Sequence, residues 1–146
     1  MSYQEWFESH AQKHQEIIQK LQERHYSDEK IIAYFQFDNM VKSEPDFCPL
    51  YKEAKKCHEI TYLSCYLCAC PHFRFNDQGL HVNEKNEHVK SLCAINSKQS
   101  EQFAYENVVH LDCSRCIVPH TKAYVRKHFD KSWTKIMTHC QESDKL

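Results

Sequence analysis

Glycine is almost missing from this chain: Gly79 is the one glycine in 146 residues, against a usual share of about 7%. Loops that cradle a phosphate need the close backbone approach that glycine allows, so a nucleotide-binding fold has almost no raw material here. Long apolar runs are lacking too. None comes near the roughly 18 residues of a membrane span, and the opening Met-Ser-Tyr-Gln-Glu-Trp-Phe-Glu has no basic stretch leading into an apolar one, as an export signal would. The expectation is a cytoplasmic chain with no membrane attachment. Net charge is also scarce, at −1, which argues against a global field that draws the protein onto nucleic acid. Acidic residues prevail up to Phe47 and basic ones from Cys113 onward, so the tail alone could meet an acidic partner.

What the chain has is cysteine. All nine cysteines follow residue 47, and an odd count without an export signal points to metal ligation or redox chemistry rather than a disulfide scaffold. The densest stretch is Cys65-Tyr66-Leu67-Cys68-Ala69-Cys70-Pro71-His72, matched downstream by Cys113-Ser114-Arg115-Cys116-Ile117-Val118-Pro119-His120. A Cys-x2-Cys turn lets two soft thiolates converge on one ion, and two such turns supply a tetrahedral set. The candidate ligands are Cys48, Cys57, His58, Cys65, Cys68, Cys70, Cys93, Cys113, Cys116 and His120. They suffice for one or two Zn2+ ions at four ligands each.

The partition expected from the turns alone places Cys65, Cys68, Cys113 and Cys116 around one ion. A second set would draw on Cys57 or His58 with Cys70, Cys93 and His120. An iron–sulfur cluster is the alternative cofactor, since thiolates hold clusters as well and Cys70-Pro71 matches the cysteine-proline that closes ferredoxin runs. The Cys-x2-Cys-x-Cys spacing and the flanking histidines favour zinc. Glu59 beside His58 and Asp112 beside Cys113 are the carboxylates nearest to candidate ligands. Neither the His-x-Glu of zinc deaminases nor the His-Glu-x-x-His of metalloproteases is present, so the sequence argues against an enzyme and names no catalytic residue.

Around the cysteines the periodicity is helical. Trp6, His10, His14, Ile17 and Leu21 form one stripe over 2–25, widened by Phe7 and Ile18; His10 and His14 read as packing residues, although their spacing can chelate. Ser27 caps a second predicted helix carrying Ile31, Ile32, Tyr34, Phe35 and Met40 and ending before Pro45. Ile60–Leu63 is β-prone. Asn76-Asp77-Gln78-Gly79 reads as a turn, 80–100 as loop with a short helix, and 103–111 as one extended segment. Val125, Phe129, Trp133, Ile136, Met137 and Cys140 mark a terminal helix, with Cys140 packed as a small hydrophobe. The fold class expected is α+β: a small cysteine-rich metal-knuckle core with an N-terminal helical hairpin and a C-terminal helix. The hairpin occupies 1–45 and the cysteine-rich domain 46–146.

In Cys57-His58, Cys65 to Pro71 and Asp112 to His120 the chain resembles the prokaryotic cysteine-rich small domain, a zinc-finger-like module, over roughly Phe47 to Phe129. The resemblance implies a prokaryotic, cytosolic setting and metal ligation. Members stand alone or are fused to enzymes of corrinoid metabolism, without an established activity. The Cys48 to Cys57 distance is longer than the family's compact spacing, and the segment around Cys93 is expanded. The function expected is a metal-binding protein whose zinc holds the fold and presents a surface to a protein partner.

Overall fold

The computed structural model describes residues 2–141. Ser2 opens the first helix, α1 (Tyr3–Glu23): its hydroxyl accepts from the Glu5 amide while the Glu5 carboxylate accepts from the Ser2 amide, so two donors at the helix start are satisfied reciprocally. The amides of Tyr3 and Gln4 donate to the two carboxylate oxygens of Asp77 at 2.8 and 3.1 Å. An anion from the cysteine-rich half thus sits at the positive end of the helix. Phe7, His10, His14, Ile17, Ile18 and Leu21 form the buried face. Trp6, expected on that stripe, lies at its rim, 37% exposed and stacked on His10. Phe7 takes the inward place, against Phe75 and Trp133.

The second predicted helix is two helices. α2 (Asp28–Tyr34) starts from the Ser27 cap, and α3 (Phe37–Ser43) starts from Gln36, whose side-chain oxygen accepts from the Asp38 amide. The break frees backbone groups for another segment: the Phe37 amide donates to the Leu63 carbonyl, and the Phe35 carbonyl accepts from the Cys65 amide. The helix is interrupted where it must hold the entry to the first cysteine turn. Ile60–Leu63 accordingly forms no strand; one isolated bridge joins Ser64 to Gln36.

The stretch expected as loop with a short helix holds strands instead. β1 (Phe73–Phe75) pairs with β4 (Ser91–Cys93), setting Phe73 opposite Cys93. β2 (His81–Val82) and β3 (His88–Val89) extend a second sheet with β5 (Glu101–Tyr105) and β6 (Val108–Asp112), in the order β2-β3-β6-β5, in which β3 runs parallel to β6. The segment expected to be one strand is a hairpin of β5 and β6. Its turn residues Glu106 and Asn107 have φ of 48° and 67°, the pair of positive values a tight hairpin turn needs. Gly79, at φ +102°, closes the Asn76 turn, with its amide donating to the Asn76 carbonyl at 3.0 Å.

The terminal helix is also broken, into α4 (Lys122–His128) and α5 (Trp133–Ile136), followed by a 3-10 turn at Thr138–Gln141. Between them Asp130 accepts from the Ser132 amide and Ser132 caps α5. The apolar stripe survives the break: Val125, Trp133, Met137 and Cys140 are buried. Trp133 reaches Phe7 and His10 at ring distances of 4.8 and 5.0 Å, and its indole N–H donates to the Cys68 carbonyl at 3.3 Å. One core therefore crosses the boundary near Pro45, joining Leu21, Ile31, Phe35 and Met40 to Leu63, Tyr66 and Leu67. The class is α+β, and among the described residues no helix is long and apolar enough to cross a membrane.

Candidate metal centre

The first cysteine turn is fixed by its two middle residues. Tyr66 and Leu67 are fully buried, and the Tyr66 hydroxyl donates to the Asp130 carbonyl at 2.6 Å. After Cys68 the chain passes through Ala69 and Cys70 at φ 88° and 69°, two consecutive non-glycine residues in the left-handed region. Each such position costs about 1–3 kcal/mol and persists only where its surroundings fix it. Here the Cys70 amide donates to the Leu67 carbonyl and the Cys70 carbonyl accepts from the Phe73 amide. Replacing Ala69 with glycine removes its share of the strain at some cost in unfolded-chain entropy. A69G is expected to raise stability by about 0.5–1 kcal/mol, read as a higher denaturant midpoint; a lower midpoint would contradict the strain assignment.

The second turn follows directly from β6. Asp112 accepts from the Ser114 amide at 2.9 Å, and the Cys116 amide donates to the Cys113 carbonyl at 3.0 Å. Gln99 accepts from the Ile117 amide at 3.0 Å, tying the turn to the loop after β4. This turn is thus entered from a strand, whereas the first is entered from an isolated bridge.

Cys57, His58 and His120 come together between the two turns. One ligand atom from each lies within 4.8 Å of the others, and among the described residues no other group of three candidate metal ligands is this tight. Cys57 Sγ is 3.0 Å from His58 Nδ1. The opposite nitrogen, His58 Nε2, lies 3.1 Å from the Cys113 carbonyl. Because a carbonyl only accepts, Nε2 carries the proton and Nδ1 keeps its lone pair. His120 repeats this with the nitrogens exchanged: Nδ1 donates to the Ser64 carbonyl at 2.9 Å, leaving Nε2 as the acceptor. Burial holds the His120 imidazolium below its ordinary range, which keeps the ring in the neutral form that ligates. An imidazole whose second N–H is held by a carbonyl is the usual support of a metal-binding histidine. Glu59 and Asp112 are exposed and lie outside this group.

The remaining thiols sort into two neighbourhoods. Burial raises Cys65 to about 12 and also raises Cys68 and Cys57, with further upward pressure among Cys48, Cys57, Cys65 and Cys68. Tyr51 belongs here as well: its hydroxyl is buried without a well-formed hydrogen bond, and the Cys65 thiol is the group it interacts with. Burial likewise raises Cys70 and Cys113 to about 12; the added pressure on Cys70 comes from Cys116, Cys93 and Cys140, and on Cys113 from Cys116, Cys70, Cys93 and Asp112. Electrostatically, Cys48, Cys57 and Cys65 bear on the first turn, and Cys70, Cys93 and Cys116 bear on Cys113 in the second. Strand pairing places Cys93 alone of these, opposite Phe73.

The donor chemistry fits a soft or borderline divalent ion. Thiols crowded in a poorly solvated place resist ionisation, and a bound cation reverses that balance. Tyr51, Ser97 and Gln99 touch the cysteine groups or their turns, and no residue pattern in the sequence distinguishes them. No family model, no curated protein and no solved structure matches this chain.

Proposed function

We propose that this is a zinc-binding protein in which an ion at Cys57, His58 and His120 helps to hold the fold, and that the surface so fixed serves as an interaction module for another protein. The observation that supports the reading is the convergence of one thiol and two imidazoles, each ring oriented by a backbone carbonyl through its other nitrogen. Zn2+ accepts mixed nitrogen and sulfur donors in tetrahedral sites. The fourth ligand would come from Cys48, whose charge bears on Cys57, or from Cys65 or Cys68, on which Cys57 bears. The likeness of the cysteine turns to the cysteine-rich small domain points the same way.

The test is elemental analysis of the anaerobically purified 146-residue chain. C57S is expected to lose one zinc per chain, and H120Q to lose the same ion or bind it at least tenfold more weakly, in line with the effect of losing a ligand or its support. E59Q is expected to keep full zinc content. Undiminished zinc in both C57S and H120Q would defeat the proposal.

A further inference from the structure

We propose a second zinc site, formed by the four thiolates of Cys70, Cys93, Cys113 and Cys116 and sharing no residue with the Cys57 group. The four come from three separate parts of the chain, which the fold brings into one neighbourhood by independent means. Pairing of β1 with β4 sets Cys93 opposite Phe73, whose amide donates to the Cys70 carbonyl at 3.1 Å. Ser97 then joins Cys93 to the second turn: its amide lies 3.5 Å from Cys93 Sγ and its hydroxyl 3.4 Å from Cys116 Sγ. Cys113 is held to Cys116 by the turn itself.

Two of these sulfurs already face amide donors, Cys93 that of Ser97 and Cys70 that of His72, each at 3.5 Å. Such bonds favour the thiolate over the thiol. Four thiolates together need positive charge; Arg74, on the same strand pair, turns its guanidinium to the Pro71 and Phe73 carbonyls. A divalent cation would meet that need. It would displace four thiol protons to solvent and draw sulfurs not yet as close as the Cys57 group into a closed tetrahedral set. With both sites filled, Cys57 and one neighbouring thiol serve the first ion, four thiols serve the second, and Cys140 stays in the core.

Zinc is counted in the anaerobically purified chain: two ions are expected in the wild type and in C140S, and one each in C93S and C57S. Folding is not left to the variants. In wild-type protein, alkylation under graded chelation with peptide mapping is expected to expose Cys70, Cys93, Cys113 and Cys116 as one block, at a chelator concentration different from that exposing Cys57. Iron in place of zinc would overturn the proposal. So would loss of the same single ion from C93S and C57S, or alkylation of Cys93 and Cys116 at free-thiol rates with zinc bound.

Discussion

Stripping the metal at neutral pH is expected to unfold the protein. Structural zinc contributes roughly 10–16 kcal/mol in small domains, comparable to the entire stability of a typical one. The cysteine turns cannot come apart quietly, because their middle residues are core. Tyr66 and Leu67 are fully buried, Trp133 bonds to the Cys68 carbonyl, and Trp133 in turn packs on Phe7 of α1. Without the proposed ions the crowded thiols and the strained Ala69–Cys70 link would be left without their support, and the helices would lose the surface they cover. The expected result is a red shift of tryptophan emission and loss of most far-ultraviolet circular dichroism, both restored by added Zn2+. Native spectra in verified metal-free protein would refute the structural role.

Acid is expected to destabilise the protein through two histidines of α1, one of which, His14, lies 3.1 Å from the Tyr66 carbonyl inside the first cysteine turn. His10 and His14 are enclosed by aromatic rings: His10 by Trp6, Phe47 and Trp133, His14 by Phe35 and Tyr66. His10 Nε2 and His14 Nδ1 have no partner there. Burial pushes His10 down to about 4, with Lys13 adding to it, and His14 down to about 3, with His10 adding to it. Both rings are thus neutral in the folded state and protonate near 6.5 once unfolded. Their stabilising effect is complete above that value and falls as pH drops toward 4 and then 3. Each histidine contributes a slope of about 1.4 kcal/mol per pH unit. Acid release of metal adds its own slope, so the informative quantity is a difference. H10F, which keeps an aromatic ring and removes the unpaired nitrogen, is expected to flatten the stability–pH curve between pH 6 and 4 by about one histidine's slope. Parallel curves for H10F and wild type would contradict the assignment.

Much of this structure can be read from residue order, and the exceptions have physical reasons. The α1 stripe is legible because its burial follows helical period, apart from the exchange of Trp6 for Phe7, which depends on where Phe75 and Trp133 stand. The breaks at Gln36 and at Asp130–Ser132 are hidden because each lies inside a continuous apolar pattern and rests on a single polar side chain capping the next helix. The β5–β6 hairpin is hidden because Glu106 and Asn107 take positive φ without a glycine to mark the turn. At the candidate centre, residue type and spacing pick out Cys57, His58 and His120 among the ten candidate ligands. They do not reveal that His58 and His120 are oriented by the Cys113 and Ser64 carbonyls, contacts 55 and 56 residues apart that exist only in the folded chain. The grouping of thiols is invisible for the same reason: Cys93 reaches Cys116 through Ser97, and strand pairing puts it there.

X-ray absorption at the zinc edge of anaerobically purified protein addresses the ligation most directly. The expected spectrum has stoichiometric zinc with sulfur scatterers at about 2.3 Å and imidazole nitrogen at about 2.0–2.1 Å, sulfur outnumbering nitrogen. A chain that is folded with no stoichiometric metal, or whose metal is surrounded by oxygen alone, would contradict it.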